Sequence, residues 1–300
     1  MTCDTLDRDT HVRPEMREFL AIEGRERLEE CWEKVLVPTP GLREAFAAMT
    51  DCLTAPLDTK PRGLIITGEA DTGKSRAMVA FRNRHPRTRD EDREFAACPV
   101  IYVQAPDSPS KEALLKSILN EVGFPIRCRP KDPDLVQFTV NTLRNCSVGT
   151  IMIDELHNIE PETLSKEVVA FLRFLKSFIN ALGRPLVVGG TPIVRDLLRS
   201  EDQIAGRFKR VVHLKPLKID QFALTVLSFE KLIPLRRPSD FRGNEDIIQF
   251  LYSATGGLTG NLSYLLHDAC QLAIDSGEER ITLHLLQKVH DRSLSPIGRG

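Results

Sequence analysis

With 300 residues, 41% hydrophobic and 28% charged, the chain has the make-up of a globular protein of one large or two modest domains. Its formal net charge of −1 excludes the strongly basic balance of a dedicated nucleic-acid binder, so any such contact has to come from local patches. Cys3, Cys31, Cys52, Cys98, Cys128, Cys146 and Cys270 are an odd set without a C-x-x-C pair, which argues for reduced thiols rather than a disulfide framework or a zinc site. No apolar leader opens the sequence and no run reaches membrane-spanning length, so a cytoplasmic protein with no membrane contact is expected.

In chain order, residues 1–24 are polar and mixed in charge, and read as an arm that is either disordered or a docking segment. Arg25 to Val35 is expected to be helical, Val37-Pro38-Thr39-Pro40 a rigid extended turn, and Gly41 to Leu53 a helix through Leu42, Phe46 and Met49. The stretch that organises the rest follows: Gly68-Glu69-Ala70-Asp71-Thr72-Gly73-Lys74-Ser75 fits G-x-x-x-x-G-K-[ST]. In that loop backbone N–H groups cradle phosphates, the lysine reaches the β- and γ-phosphates, and the serine hydroxyl ligates Mg²⁺. The apolar run from Gly63 to Thr67 precedes it and helical periodicity from Ser75 to His85 follows. A strand feeding a glycine loop that opens a helix sets the positive end of the helix on the phosphates, so ATP with Mg²⁺ is the expected ligand. The lead-in Val35 to Pro40 then becomes a candidate lining for the base pocket.

Four more short apolar runs, Pro99 to Gln104, Thr150 to Ile153, Leu186 to Gly189 and Val211 to Leu214, alternate with segments of helical period. That alternation predicts an α/β fold with a five-stranded parallel sheet covered by helices on both faces. Ligands of such sheets sit beyond the carboxyl ends of the strands. Asp154 and Glu155 emerge there, an aspartate placed for the metal shell and a glutamate placed to orient or deprotonate an attacking water. Gln104 ends the second strand and is either a partner for Glu155 or a turn residue. Thr191 follows Gly189-Gly190 and either touches the γ-phosphate or caps the helix after Pro192. In Gln203 to Arg210, Arg207 is suited to stabilising charge on a transferred phosphoryl group, and equally to a basic helix end.

These phrases in this order, with Leu156-His157-Asn158 after the acidic pair, Ala205-Gly206-Arg207-Phe208, Tyr102-Val103-Gln104-Ala105-Pro106 and the turn Thr255 to Gly260, resemble the TniB/TnsC family of AAA+ ATPases from bacterial transposons. The likeness runs from about Arg25 to about Leu286. It implies a P-loop AAA+ fold with a small helical lid, and an ATPase that assembles on duplex DNA as a ring or helical filament of its own copies. It also implies that target selection, through a TniQ-like factor, is coupled to a transposase. Carried over, Lys74 and Ser75 would bind phosphate and Mg²⁺, and Asp154 and Glu155 would be the metal-site and water-activating pair. Thr191 would be the sensor, and Arg207 the finger acting in trans on the next subunit's ATP. One departure is visible: the lid turn near Gly260 and Asn261 lacks the arginine that many AAA+ relatives carry there, so slow turnover would be unsurprising.

Lys111, Arg127, Arg129 and Lys131 flank a helix expected from Ser110 to Val122, where the resembled family lines its channel and follows the phosphate backbone without reading sequence. The cluster Arg82, Arg84, Arg87 and Arg89 is followed by Asp90, Glu91, Asp92 and Glu94 and reads instead as a self-paired loop. Domains are therefore expected at 1–24 (arm), 25–215 (nucleotide-binding core), 216–292 (helical lid) and 293–300 (tail). A helicase-loader-like or other protein-remodelling ATPase, and a small-molecule kinase of phosphate-loop ancestry, are the alternatives.

Overall fold

The computed structural model describes residues 11–89, 92, 94–124, 132–156 and 165–294. His157, Asn158, Arg127, Arg129 and Lys131 lie outside the described residues, as do the first ten residues and 295–300. The chain divides into two compact units, one running from Pro40 to Leu214 and the other formed by the residues up to Thr39 together with those from Lys215 on.

Up to Thr39 the chain carries a 3-10 helix, Pro14–Ala21, and α1 (Glu26–Cys31). The Pro40–Leu214 unit then runs α2 (Pro40–Leu53), β1 (Leu64–Gly68), α3 (Lys74–Asn83), β2 (Val100–Gln104), α4 (Lys111–Glu121), α5 (Asp132–Asn145), β3 (Thr150–Asp154), α6 (Lys166–Leu182), β4 (Leu186–Gly190), α7 (Ile193–Arg199), α8 (Asp202–Ala205) and β5 (Arg210–Leu214). All strand pairs are parallel, in the order β2-β3-β4-β1-β5. The three inner strands are buried at every position, while β2 and β5, at the two edges, keep exposed residues.

Side chains alternate across the sheet, as a two-residue period requires. Ile65, Ile101, Ile151, Ile153 and Val188 pack with Leu114, Ile118, Leu143, Phe171, Leu175 and Phe178 of α4, α5 and α6. Leu64, Ile66, Val100, Met152, Val187 and Val212 pack on the opposite face with Ala45, Met49, Met78 and Phe81 of α2 and α3. The expected sheet and its two helical covers are therefore present. Where helices begin, the local chemistry is legible: the Ser110 hydroxyl accepts the Ala113 N–H at 3.2 Å and the Ser165 hydroxyl accepts that of Val168 at 3.3 Å, each satisfying a donor that helix geometry leaves open.

The other unit holds α9 (Ile219–Glu230), α10 (Glu245–Thr255), α11 (Thr259–Asp275) and α12 (Leu283–Leu294). Val12, Met16, Phe19, Leu28 and Val35 share its core with Phe222, Val226, Leu262, Leu266 and Leu286. The structure thus divides the chain differently from the expected boundary between residues 24 and 25. The described part of the N-terminal segment, through Thr39, packs with the helices after Leu214, because its apolar residues complete their core. A buried ion pair locks the two stretches together. Arg27, 0% exposed, donates through Nη1 to Glu279 Oε2 at 2.7 Å and through Nη2 to Oε1 at 3.0 Å, and its Nε donates to the Ile22 carbonyl at 2.8 Å.

Candidate active site

β1 delivers the chain to the phosphate loop, and α3 carries it away. Gly68 has no room for a side chain: a Cβ there would meet the Leu214 carbonyl at 2.5 Å and the Thr72 hydroxyl at 2.7 Å. Thr72 Oγ1 donates to the Glu69 carbonyl at 2.8 Å. Lys74, only 6% exposed, folds back and donates to the carbonyls of Gly68 at 2.9 Å and Glu69 at 2.6 Å. Burial pushes its pKa down, while Glu155, Asp154 and Asp71 pull it back up. The loop is therefore a polar cradle at the start of a ten-residue helix, with Ser75 in that helix's first turn, a setting that favours phosphate.

β3 brings the acidic pair to the same end of the sheet. Asp154 is 0% exposed. Its Oδ1 accepts the Glu155 N–H at 2.9 Å and its Oδ2 accepts the Tyr102 O–H at 2.9 Å. Burial first, and then the neighbouring carboxylate of Asp154, push the Tyr102 phenol well above its ordinary pKa. On the other side lies Gly189 of β4, where an added Cβ would meet Asp154 Oδ1 at 2.5 Å and Met78 Sδ at 2.7 Å. Met78 stands one helical turn beyond Ser75, so the Ser75 face of α3 is turned toward the aspartate. Glu155 takes a left-handed backbone, φ +56°, a conformation that costs a non-glycine residue about 1–2 kcal/mol and that tends to be kept at functional sites.

The remaining predicted residues fall at two ends of the sheet. Gln104 pairs in register with Asp154, and its side chain is exposed. Gly190 is in register with Thr67, which puts Thr191 at the level of Gly68. Its carbonyl accepts the Val194 N–H at 3.0 Å, whereas the N-cap position of α7 belongs to Pro192 without a side-chain cap bond, so the Thr191 hydroxyl is not the helix cap. Arg207 lies at the opposite end. Its carbonyl accepts the N–H of Gly63 at 2.8 Å, just before β1 begins, while the phosphate loop leaves β1 after Gly68. At about 3.3 Å per residue the strand separates them by roughly 16 Å, farther than an arginine side chain extends. Lys111 is the first residue of α4 and is exposed.

Tyr102 and Gly189 escape a sequence reading that looks only for charged groups after strands. The signal for Tyr102 is there in the alternation: it shares a strand face with Gln104 and sits one pair back from it. The donor set itself fits Mg²⁺. A buried carboxylate and a serine hydroxyl are hard oxygen donors, and Mg²⁺ is held by one or two such groups with phosphates and water supplying the rest. Ser75 and Asp154 are the residues that would hold it.

The sheet order, the loop between β1 and α3, and the acidic pair after β3 define a P-loop ATPase of the AAA+ class. The chain belongs to the TniB family, the bacterial TniB protein, whose pattern it matches over residues 27–218. No curated protein sequence matches it significantly. Among solved structures it is similar to the Aeropyrum pernix ORC2 protein in its ADPNP–ADP complexes, with a TM-score of 0.58, 18% identity and coverage of 90% of this chain and 68% of that one. The Aeropyrum pernix ORC1 protein in complex with DNA gives 0.57 and 15%, covering 84% and 64%, and Drosophila ORC bound to DNA gives 0.51 and 13%, covering 94% and 66%. At these identities the likeness is one of fold, and this chain spans about two thirds of their length. No described helix is long and apolar enough to cross a membrane.

Proposed function

We propose that the protein hydrolyses ATP as the regulator of a DNA transposition reaction, assembling in an ATP-dependent way as a ring or filament on duplex DNA and linking target selection to a transposase. Membership of the TniB family supports the transposition setting, and fold neighbours determined with DNA support a nucleic-acid partner. The observation that carries assembly is the position of Arg207. It stands at the far end of β1 from its own phosphate loop, so a finger role requires the nucleotide of a second copy.

In this reading Lys74 exchanges its two loop carbonyls for phosphate oxygens, and the first N–H groups of α3 add donors that cost no reorganisation. Mg²⁺, when bound, neutralises charge on the β- and γ-phosphates. Asp154 and Ser75 hold its place, and Glu155 orients and deprotonates the attacking water. Thr191, at the level of Gly68, senses the γ-phosphate, with Gln104 beside the acidic pair. Arg207 of the neighbouring copy stabilises the transition-state charge. Lys111, with Arg127, Arg129 and Lys131, follows the DNA backbone, and several copies sum to a large salt-dependent affinity although each is near neutral.

Mixing two variants tests the trans geometry. Glu155→Gln and Arg207→Ala, each slow alone, should regain hydrolysis together on DNA, because an Arg207→Ala site is then served by the intact arginine of its neighbour. A mixture no faster than its parts would rule out a finger role in trans for Arg207. Imaging with duplex DNA should show rings or filaments only when a triphosphate is also present; a monomer under every condition overturns the assembly.

A further inference from the structure

The buried carboxylate of Asp154 is held from outside its own strand, and nothing in the nucleotide motifs accounts for that hold. Tyr102 lies on β2, paired in register with Met152. Its phenol reaches diagonally, two residues along β3, to donate to Asp154 Oδ2 at 2.9 Å. Such diagonal neighbours are within reach of aromatic and other long side chains. The ring is partly buried against the cluster that contains Met78, Phe81 and Met152, so packing fixes the phenol before any ligand arrives. Across the carboxylate the other oxygen is fixed by the Glu155 N–H at 2.9 Å, and β4 offers only the bare backbone of Gly189. Three neighbouring structures therefore set one torsion.

We propose that Tyr102 is a positioning residue for Mg²⁺: its O–H fixes the rotation of the Asp154 carboxylate, the group that together with Ser75 would hold the metal. The inference rests on the reading of Asp154 as the metal-site aspartate. The physical reason is that a carboxylate rotates freely unless something occupies one side of it. A metal bound through a single protein carboxylate has few other protein ligands to correct a misaimed one. Groups that orient a metal ligand in this way are worth about 10–100-fold in metal affinity. Gly189 belongs to the same device from the opposite side, since any side chain there would displace Oδ1.

The test measures binding of a fluorescent ADP analogue as Mg²⁺ is raised, with the same measurement in EDTA. Tyr102→Phe keeps the ring and removes only the oxygen. The Mg²⁺ concentration at half-effect should rise about tenfold while affinity in EDTA stays at the wild-type value, which also shows that the loop is folded. Replacing Tyr102 with 4-aminophenylalanine restores a donor at the same place and should bring the Mg²⁺ dependence back. Asp154→Asn is the reference. If it shifts the Mg²⁺ dependence and Tyr102→Phe does not, the positioning role is wrong and the metal assignment stands. If Asp154→Asn leaves the Mg²⁺ dependence unchanged, the metal assignment fails and the role of Tyr102 fails with it.

Discussion

The two units of this molecule are built on opposite plans. From Pro40 to Leu214 the chain returns again and again to one sheet, and each return leaves a polar group at the same end: Lys74 after β1, Asp154 and Glu155 after β3, Thr191 after β4. The other unit has no such repetition. It is closed by two stretches about two hundred residues apart, with Arg27 and Glu279 as the polar joint at their contact. A parallel sheet concentrates chemistry because all its strands end together. A helical bundle assembled from distant segments has no such common end, and its Arg27–Glu279 pair joins the two stretches instead.

The contrast can be broken first in the sheet unit, where the expected effect is largest. Glu155→Gln should leave ATP binding intact and slow hydrolysis by about a hundredfold or more, the usual scale for a lost general base. Assemblies on DNA should then persist, and a wild-type turnover rate would remove Glu155 from the chemistry. Lys74→Ala deletes a charged donor from the cradle, and nucleotide affinity should fall by about a hundredfold, from roughly 3 kcal/mol of charge-assisted bonding. Titration with a fluorescent nucleotide reads this directly, and unaltered affinity would displace the site.

In the other unit the corresponding cut is structural. Arg27→Ala takes the bidentate partner from the largely buried Glu279, leaving Arg236 at 3.6 Å, and should cost about 3 kcal/mol of stability, seen as a lowered midpoint in urea. Arg27→Met, which fills the space but carries no charge, leaves Glu279 with Arg236, at 3.6 Å, as its remaining cationic partner and should recover little of that loss, whereas Arg27→Met together with Glu279→Gln should recover more of it. The smallest effect belongs to a purely local feature: Ser110→Ala removes the cap of α4 and should cost about 1 kcal/mol, with no change in nucleotide affinity. A large fall in affinity would mean that α4 does more than cover the sheet.

Much of the sheet unit was readable in advance, for a physical reason. A buried parallel strand needs a short apolar run, and a phosphate loop needs glycines and a lysine at set spacing; both are local in the chain. All five strands lie within a residue or so of their expected spans. The fold of Met16 and Phe19 into the core of α9 and α11 was not readable. The stretch around them is polar on average, and what buries its few apolar residues lies more than two hundred positions away. Arg27 misleads in the same way. In a charge-dense segment it reads as surface, and the arrival of Glu279 and the Pro234 carbonyl, beside the nearby carbonyl of Ile22, makes its burial tolerable.

By itself, then, the sequence determined which elements form and which polar groups stand at the strand ends, because periodicity and loop chemistry act over a few residues. Tertiary structure decided everything that depends on which strands are neighbours. Placing β3 between β2 and β4 brings the Tyr102 hydroxyl and the bare backbone of Gly189 to opposite sides of Asp154. Placing β5 beside β1 ties the Arg207 carbonyl to Gly63, at the end of the sheet away from its own phosphate loop. Those relations are set by the packing of whole faces, whose contacts are distant in sequence and leave no local trace.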